Sequence, residues 1–250
     1  MGGTLIIEIK YAGLGDHLFH SHLPRIAKES KKYDKVCISD KSKFGHEDYK
    51  RLIWLNNPFV DGFINEDGIH CDIGKQVTKV SRNSKTNLLD EVMYYYGLDN
   101  GKLWNQPELF YKPKYREEYH YTIFDPNYMS WIGNVTNEDA MIFFKKHKVK
   151  FDFIMKIRGE KKMFIPTDAT KFIETPTLDD FCDLIFSSKN LHCLTSGTAT
   201  LASALGRPSI VYYGIEQCDG FKHDKIHNYV YIPRDLKNRI IRKIKNLFQK

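Results

Sequence analysis

The chain has 250 residues, of which 42% are hydrophobic and 28% charged, and it contains 15 Tyr and 16 Phe. This composition provides apolar surface for a packed core and excludes a disordered or collagen-like chain. No apolar run approaches the roughly 20 residues of a membrane span, and residues 1–10 are strand-like rather than a signal peptide, so we expect a cytoplasmic protein.

The net charge of +7 is concentrated at the C-terminus. Residues 234–250 carry seven Lys and Arg against the single acid Asp235, which leaves the rest of the chain nearly neutral. This distribution argues against a nucleic-acid-binding protein with a basic face over its whole body, and it favours one cationic element with a local role.

The first half of the chain alternates between strand and helix patterns. Three strands are predicted, at residues 4–9, 35–39 and 60–64. Helical patterns lie between and after them, from the glycine turn at 12–16 to about residue 30, at 46–55 and at 87–96. This alternation predicts a parallel sheet with helices on both faces.

A segment with Pro107 and Pro113 resembles a linker, and we place a domain boundary near residue 115. The second half repeats the α/β alternation. Its predicted strands lie at 121–124, 151–157, 191–194 and 209–213, and its predicted helices at 138–147, 178–187 and 199–205. Residues 236–250 have apolar residues at helical spacing and basic residues on the other faces, which predicts an amphipathic helix.

The most informative segment is 191–214, where an apolar strand, a turn of small residues, a short helix and another strand follow one another. Gly197 allows the backbone to approach a ligand closely. Free N–H groups at the helix start, together with nearby hydroxyls, form an anion site suited to a diphosphate. These hydroxyls belong to Ser196, Thr198 and Thr200. The alternative is that Thr195 and Ser196 only cap the helix.

The same segment resembles the donor-binding motif of the family-nine glycosyltransferases, the ADP-heptose:lipooligosaccharide heptosyltransferases. That motif follows a strand with the pattern D-S-G-x-x-H-L-A-A-A-L-G-x-P. The matching residues are Ser196, Gly197, Leu201, Ala202, Ala204, Leu205, Gly206 and Pro208. Thr195 stands where the motif has Asp, and Thr200 stands where it has His. The resemblance implies that the donor binds at Thr195, Ser196, Gly197, Thr198 and Thr200.

The turn at 10–16 resembles the opening turn of the same family, in which Gly13 and Gly15 shape the cleft. The resemblance implies that Asp16 is the catalytic base that takes a proton from the acceptor hydroxyl. The alternative is that Asp16 is the N-cap of the following helix. A family Glu that holds the donor ribose or base corresponds to Glu160, and Lys156 is an equally suitable donor-binding residue, as a phosphate partner.

The resemblance implies the GT-B architecture, an α/β fold in which two Rossmann-like domains with parallel sheets face each other across a cleft. Residues 1–115 would then form the acceptor-side domain and 116–235 the nucleotide-sugar-binding domain, with 236–250 as the basic C-terminal helix. That helix is expected to pack on the body, and its basic face is also suited to anionic lipid at the inner face of the plasma membrane.

No metal site or cofactor is expected. The five cysteines are scattered without C-x-x-C spacing, and no Asp-x-Asp sequence occurs. His17, His20 and His22 lack further ligands at metal spacing, so we expect them to line the cleft or the surface. For His223 and His227, in a polar loop, the expectation of a functional role is weaker still.

The sequence therefore predicts an enzyme that transfers a sugar from a nucleotide-diphosphate donor to a cell-surface glycan, lipooligosaccharide or capsule, with inversion and without an obligatory metal. Two alternatives remain open on the same evidence. One is a nucleotide-sugar hydrolase or epimerase of the same fold, and the other is a non-catalytic nucleotide-sugar-binding subunit. Nucleic acid is not an expected partner, because the basic tail offers only Phe248 for base stacking.

Overall fold

The structure is a computed structural model that describes residues 2–82, 85–128, 132–156 and 171–234. Within these residues, nine strands form two sheets, and every strand pairing is parallel. The strands are β1 Gly3–Ile7, β2 Tyr33–Ser39, β3 Gly62–Ile64, β4 Thr122–Asp125, β5 Phe153–Met155, β6 Phe172–Ile173, β7 Asn190–Leu194, β8 Ser209–Gly214 and β9 Asn228–Ile232. The predicted α/β class with parallel sheets is confirmed.

The first sheet has three strands in the order β1-β2-β3. Its helical segments are α1 Leu14–Leu18, α2 Leu23–Glu29, a π-helical segment Lys50–Leu55, α3 Ile73–Arg82 and α4 Leu88–Tyr95. The single helix predicted to residue 30 is thus two helices. Pro24 lies in the first turn of α2, where its missing N–H costs no hydrogen bond, so a new helix begins there. The sequence analysis missed α3.

The second sheet has six strands in the order β6-β5-β4-β7-β8-β9. Its helices are α5 Asn137–Lys146, α6 Leu178–Ser187 and α7 Gly197–Ala204, with 3-10 turns at Glu117–Tyr119 and Asp219–Phe221. The hydroxyls of Thr136 and Thr177 cap α5 and α6 by accepting N–H bonds from Asp139 and Asp180. The short strand β6 and the edge strand β9 were not predicted.

The strand order of the second sheet reverses between β4 and β7. The chain adds strands in one direction from β4 and in the opposite direction from β7. The loops that leave the carboxyl ends of these two strands therefore diverge and open a crevice. In open parallel α/β sheets, ligands bind in such a crevice. The loop after β4 begins at Asp125, and the loop after β7 contains Thr195 and Ser196.

One cluster of buried side chains runs from the first sheet to the second. It includes Leu5 and Trp54 from the first half and Leu184 and Leu201 from the second, all essentially inaccessible to solvent. A second cluster around Phe124 and Phe144 packs on the other side of the six-stranded sheet. The domain boundary near residue 115 stays a prediction, because the two halves share the larger of these cores.

The segment that crosses between the sheets is held by Asp183 of α6, which is 1% exposed. Its carboxylate accepts hydrogen bonds from the Tyr111 hydroxyl, the Lys114 N–H and the Arg116 guanidinium. Burial acts to raise the pKa of Asp183, but these three donors hold it below its ordinary value. The connection is therefore fixed by charge and hydrogen bonds.

The predicted amphipathic helix at 236–250 lies outside the described residues. None of the helices in the described ranges has the length and apolar character of a membrane span.

Candidate functional site

The N-terminal ends of α1 and α7 meet through two glycines. A Cβ atom placed on Gly197 would lie 2.9 Å from the backbone N of Gly15 and 3.0 Å from the Cβ of Leu14. Real Cβ atoms do not approach other atoms so closely, so a side chain at 197 would push the two halves apart. The sequence analysis assigned Gly197 to close ligand approach; the structure shows that it also allows one half of the chain to contact the other.

A first cavity of about 240 Å³ opens beside this glycine contact. It lies between the first turn of α1, the first turn of α7 and the loop after β4. Its polar and ring-bearing lining residues are Asp16, Phe19, Tyr49, Asp125, Asn127, Tyr128, Phe181, Thr195, Ser196, Thr198, Thr200, Phe221 and His223. Gly13, Gly15 and Gly197 also line it, so the structure brings both predicted turns to one site.

Asp16 is the third residue of α1, and Gly13 is the N-cap residue. The alternative in which Asp16 is the N-cap is therefore wrong. Burial raises the pKa of Asp16 to about 6, although backbone groups of Gly13 and of Asp16 itself act to lower it. A carboxyl group of this pKa is ionised at neutral pH and is more basic than an ordinary aspartate, which suits a general base.

Thr195 and Ser196 present hydroxyls that have no hydrogen-bond partner among the described residues. Ser196 has the extended backbone conformation of an N-cap, but its side chain makes no capping hydrogen bond to α7. Oγ1 of Thr195 and Oγ of Ser196 are both buried and unpaired within the described chain. The reading in which these hydroxyls only cap a helix therefore does not match the geometry, and the two groups are available to a ligand.

Thr198 and Thr200 are buried, at 5% and 1% exposure, and both line the first cavity. The Thr198 hydroxyl donates to Oδ2 of Asp125 at 2.5 Å. Thr200 lies close to the glycine contact, with its Oγ1 3.6 Å from where a Cβ on Gly15 would be. Of the hydroxyls predicted to bind the donor substrate, that of Thr198 is thus already hydrogen-bonded to a carboxylate, which it orients.

The sequence analysis missed Asp125, which ends β4 at the point where the strand order reverses. It is 2% exposed, and its Oδ1 accepts hydrogen bonds from the backbone N–H and the side-chain amide of Asn127, at 2.9 and 2.7 Å. The available signal was an acid placed directly after an apolar strand. That signal identifies a site residue only when the strand order is known.

A second cavity of about 670 Å³ adjoins the first, and Leu14, Tyr49 and Phe181 line both. Lys156, at the carboxyl end of β5, lies in this second cavity, and its ammonium group pairs with both carboxylate oxygens of Glu174, at 3.0 and 3.1 Å. The structure therefore separates Lys156 from the hydroxyls of α7. Glu160 lies outside the described residues.

His17, His20 and His22 do not line the cleft or the surface, so that expectation is wrong. All three are at most 1% exposed, and none lines either cavity. His17 is fully paired, since its Nε2 lies 2.9 Å from the Lys43 carbonyl and its Nδ1 accepts from the Trp54 indole. Burial lowers the pKa of His17 and His20 to about 4 and that of His22 to about 3.

His223, by contrast, lines the first cavity, although the sequence placed it in a polar loop. It is 3% exposed, and His227 is 7% exposed with its Nε2 2.9 Å from the Ala199 carbonyl. His227 is buried where the loop after β8 folds under α7, and His223 is buried where the same loop packs on Phe19 and Asn87 of the first half. No alternation of polar and apolar residues marks this loop in the sequence, since its burial arises from tertiary packing. Among the described residues, no group of three or more His, Cys, Asp or Glu is placed to hold a metal ion.

By sequence, no protein-family model and no curated protein matches the chain. Solved structures match it by fold. A glycosyl transferase of family 9 from Veillonella parvula is 9% identical, with a TM-score of 0.57 over 97% of this chain and 89% of that one. The E. coli heptosyltransferase WaaC with ADP is 11% identical, with a TM-score of 0.55 over 97% of this chain and 96% of that one. The chain has the family-nine glycosyltransferase fold.

The dodecameric iron-containing glycosyltransferase TibC from enterotoxigenic E. coli has a TM-score of 0.60 at 14% identity, over 90% of this chain. This chain spans 62% of the length of TibC. At such identities the likeness establishes the fold alone, and the family-nine fold agrees with the motif resemblance at 191–214.

Proposed function

We propose that this protein is a glycosyltransferase that moves a sugar from a nucleotide-diphosphate donor to a hydroxyl of a glycan acceptor. The observation that carries the proposal is the placement of Asp16 and the first turn of α7 on one cavity at the point where the strand order reverses. A base and an anion-binding helix start are the two groups that such a transfer needs on either side of the sugar.

The donor diphosphate would bind at the start of α7. The Ala199 N–H already bonds to the Ser196 carbonyl, so the N–H groups of Gly197 and Thr198 are the ones that the helix start offers to a ligand, and they carry a partial positive charge. The unpaired hydroxyls of Thr195 and Ser196 lie beside them and can donate to phosphate oxygens. These donors stabilise the charge that develops on the leaving diphosphate, and we expect this to be the larger catalytic contribution.

The second cavity has the room and the charges for the nucleoside part of the donor. Lys156 and Glu174 lie there as an ion pair, at the carboxyl ends of β5 and β6. Structures of TibC with ADP-D-β-D-heptose and of WaaC with ADP show that proteins of this fold hold adenine nucleotides.

Asp16 would act as the base. Its carboxylate takes the proton of the acceptor hydroxyl as the oxygen of that hydroxyl bonds to the anomeric carbon and the bond to the diphosphate breaks. One displacement with one base inverts the configuration and forms no covalent intermediate. We propose that the reaction needs no metal, because the helix start and the hydroxyls supply the donors to the leaving group.

The acceptor is proposed to be a cell-surface glycan, lipooligosaccharide or capsule, assembled on the cytoplasmic side of the membrane. The basic residues of 234–250 would hold the enzyme near anionic lipid, where a lipid-linked acceptor is presented. This role of the tail is testable by deletion, since loss of residues 236–250 should weaken binding to anionic vesicles without changing affinity for a free nucleotide.

The first test is a thermal-shift screen of the purified protein against ADP-, UDP-, GDP- and CMP-linked sugars and the matching free nucleotides, with EDTA present. A ligand that binds only the folded protein raises its melting temperature, so selective stabilisation names the donor base. The selected donor is then incubated with core oligosaccharides, and the anomeric configuration of the product is read by NMR.

The outcomes separate the proposal from its alternatives. Product formation that depends on added oligosaccharide supports a transferase, and an inverted anomeric centre supports direct displacement. Release of free sugar without an acceptor would identify a hydrolase, and an altered nucleotide sugar would identify an epimerase. Stabilisation by a nucleotide sugar with no turnover would favour a binding subunit.

A further inference from the structure

The proposed mechanism gives no role to His223, which lines the first cavity. His223 follows the 3-10 turn Asp219–Phe221, and its Nδ1 lies 3.2 Å from the carbonyl oxygen of Phe221. Because a carbonyl only accepts hydrogen bonds, Nδ1 carries the ring proton and Nε2 keeps its lone pair. Nε2 is buried and has no partner among the described residues. An unpaired acceptor at this depth is costly unless a ligand satisfies it.

The ring is held in place by both halves of the chain. The carbonyl of His223 accepts a hydrogen bond of 2.8 Å from the side chain of Asn87 in the first half. The ring meets Phe19 edge to face, with 5.4 Å between ring centres. Gly220 presses against α3, where a Cβ would lie 2.5 Å from the carbonyl oxygen of Val77, so the turn before His223 has little freedom.

The imidazole is neutral at physiological pH, because burial lowers the pKa of His223 to about 4. A neutral ring with a fixed proton on Nδ1 can accept a hydrogen bond at Nε2 but cannot bind an anion there. A hydroxyl, which donates through its proton, is the suitable partner.

The other polar groups near His223 point to the same ligand. Asp16 and Asp125 present carboxylates to the first cavity, and none of its described lining residues is a Lys or an Arg. The carboxylate of Asp16 and Nε2 of His223 accept hydrogen bonds, which suits a group with several hydroxyls, whereas the donors at the start of α7 suit the diphosphate. Phe19 and Phe181 add apolar ring faces beside these acceptors.

We propose that Nε2 of His223 accepts a hydrogen bond from a hydroxyl of the donor sugar and thereby determines which sugar is bound. This inference rests on the proposed function, since it requires a nucleotide sugar in the cleft. A site built to bind a hydroxyl discriminates against analogues that lack it, because the buried acceptor is then left unpaired. His223 is a specificity-determining residue on this assignment, distinct from the base at Asp16.

The test measures, by calorimetry, the affinities of ADP-glucose, UDP-glucose and GDP-mannose and of free ADP, UDP and GDP. Wild-type protein, His223→Leu and His223→Gln are compared. We expect His223→Leu to weaken binding of the preferred nucleotide sugar by roughly five- to tenfold and to leave the free nucleotide unaffected. His223→Gln, whose amide oxygen can accept, should recover part of the loss.

His22→Leu is the matched control. Like His223, His22 is buried, at 1% exposure, and has one unpaired ring nitrogen, but it lies outside both cavities. The His22→Leu substitution should leave the preference for nucleotide sugar over free nucleotide unchanged, even if it lowers the melting temperature. Monodeoxy derivatives of the preferred sugar identify the hydroxyl, since one of them should bind wild-type and His223→Leu equally.

Three results overturn specific claims. Equal affinities of wild-type and His223→Leu for the nucleotide sugar would overturn the assignment of His223 and leave the proposed function intact. An equal loss for nucleotide sugar and free nucleotide would show a structural role and also overturn it. Wild-type protein that binds none of the nucleotide sugars would instead overturn the proposed function, and the assignment with it.

Discussion

Two turns of the molecule are built alike and present opposite chemistry. The acid turn, Gly13–Asp16, follows β1 and begins α1, while the hydroxyl turn, Thr195–Thr198, follows β7 and begins α7. They touch where Gly15 meets Gly197. The acid turn presents a carboxylate of raised pKa, whereas the hydroxyl turn presents unpaired hydroxyls and the free N–H groups of a helix start.

The two turns share a strand–turn–helix backbone, so the backbone alone does not determine which ligand groups a turn can bind. Both turns use small residues so that two helix starts can approach each other. The side chains beside the glycines then set the polarity of each wall: Asp16, after Gly15, is a proton acceptor, whereas the hydroxyls of Thr195 and Ser196, before Gly197, can donate to an anion. The predictions below alter one turn at a time.

The largest effect is expected from removing the charge of the acid turn. Asp16→Asn should lower turnover by roughly 10²- to 10⁴-fold, because an amide cannot take the acceptor proton. Donor affinity, measured by calorimetry, should stay within a few-fold of wild-type. Asp67→Asn is the control, since Asp67 is an exposed acid that pairs with Lys41 away from the cleft. Near-wild-type turnover of Asp16→Asn would remove Asp16 from the mechanism.

The same variant should be more stable at neutral pH. The pKa of Asp16 is raised from 3.8 to about 6 in the folded protein, so its charge opposes folding above that pH. Asp16→Asn should therefore raise the free energy of unfolding at pH 8, by at most about 3 kcal/mol. The gain should shrink as pH falls from 6 to 4 and vanish below 4. Unfolding by denaturant at pH 8, 5 and 3.5, measured for the wild type and the variant, checks that the gain in free energy of unfolding is positive at high pH and shrinks as pH falls.

The glycine contact is the next target. Gly197→Ala places a Cβ 2.9 Å from the backbone of Gly15, and relieving this overlap should cost about 1–3 kcal/mol of stability and weaken donor binding. Gly3→Ala is the matched control, because a Cβ there meets only a Tyr33 side-chain atom, at 4.0 Å. Thermal unfolding of both variants, with and without the donor, makes the comparison. Equal melting temperatures would show that the halves do not press together at Gly197.

The pH dependence of the rate gives a further effect of about tenfold. A base with a pKa of about 6 is mostly ionised at pH 7 and about one-tenth ionised at pH 5. With Asp16 as the base, kcat/KM should be flat above pH 7 and fall about tenfold for each pH unit below 6. A profile that stays flat down to pH 5 would contradict this assignment of the base.

The smallest effect is expected from the hydroxyl turn. Ser196→Ala removes a hydroxyl that is unpaired in the described part of the chain, so stability should not fall, while affinity for the free nucleoside diphosphate should drop by roughly two- to tenfold. Thr136→Ala is the contrasting control, because that hydroxyl caps α5; it should cost about 1 kcal/mol of stability and no affinity. If Ser196→Ala instead destabilises the protein with no effect on affinity, Ser196 is a helix cap.

Much of the fold could be predicted because its elements depend on local patterns. The capped helix α6 was predicted with its observed bounds, Leu178–Ser187, from an acid-rich start and apolar residues at helical spacing. Strand β6 was missed because two residues form no recognisable pattern. Helix α3 was missed although Ile73, Val77 and Val80 stand at helical spacing; these residues are buried, and the helix packs against the turn at Asp219–Phe221.

The sequence by itself determined the α/β class, the parallel sheets and the two turns of the site, because spacing, glycines and small hydroxyl residues act over a few neighbouring residues. Only the tertiary structure decided that Asp125 and His223 join Asp16 on one cavity, that Lys156 belongs to the adjoining one, and that His17, His20 and His22 are buried. Those placements depend on the order of strands in the sheet and on which loop folds under which helix. Both are set by contacts between residues far apart in the chain, so no local pattern records them.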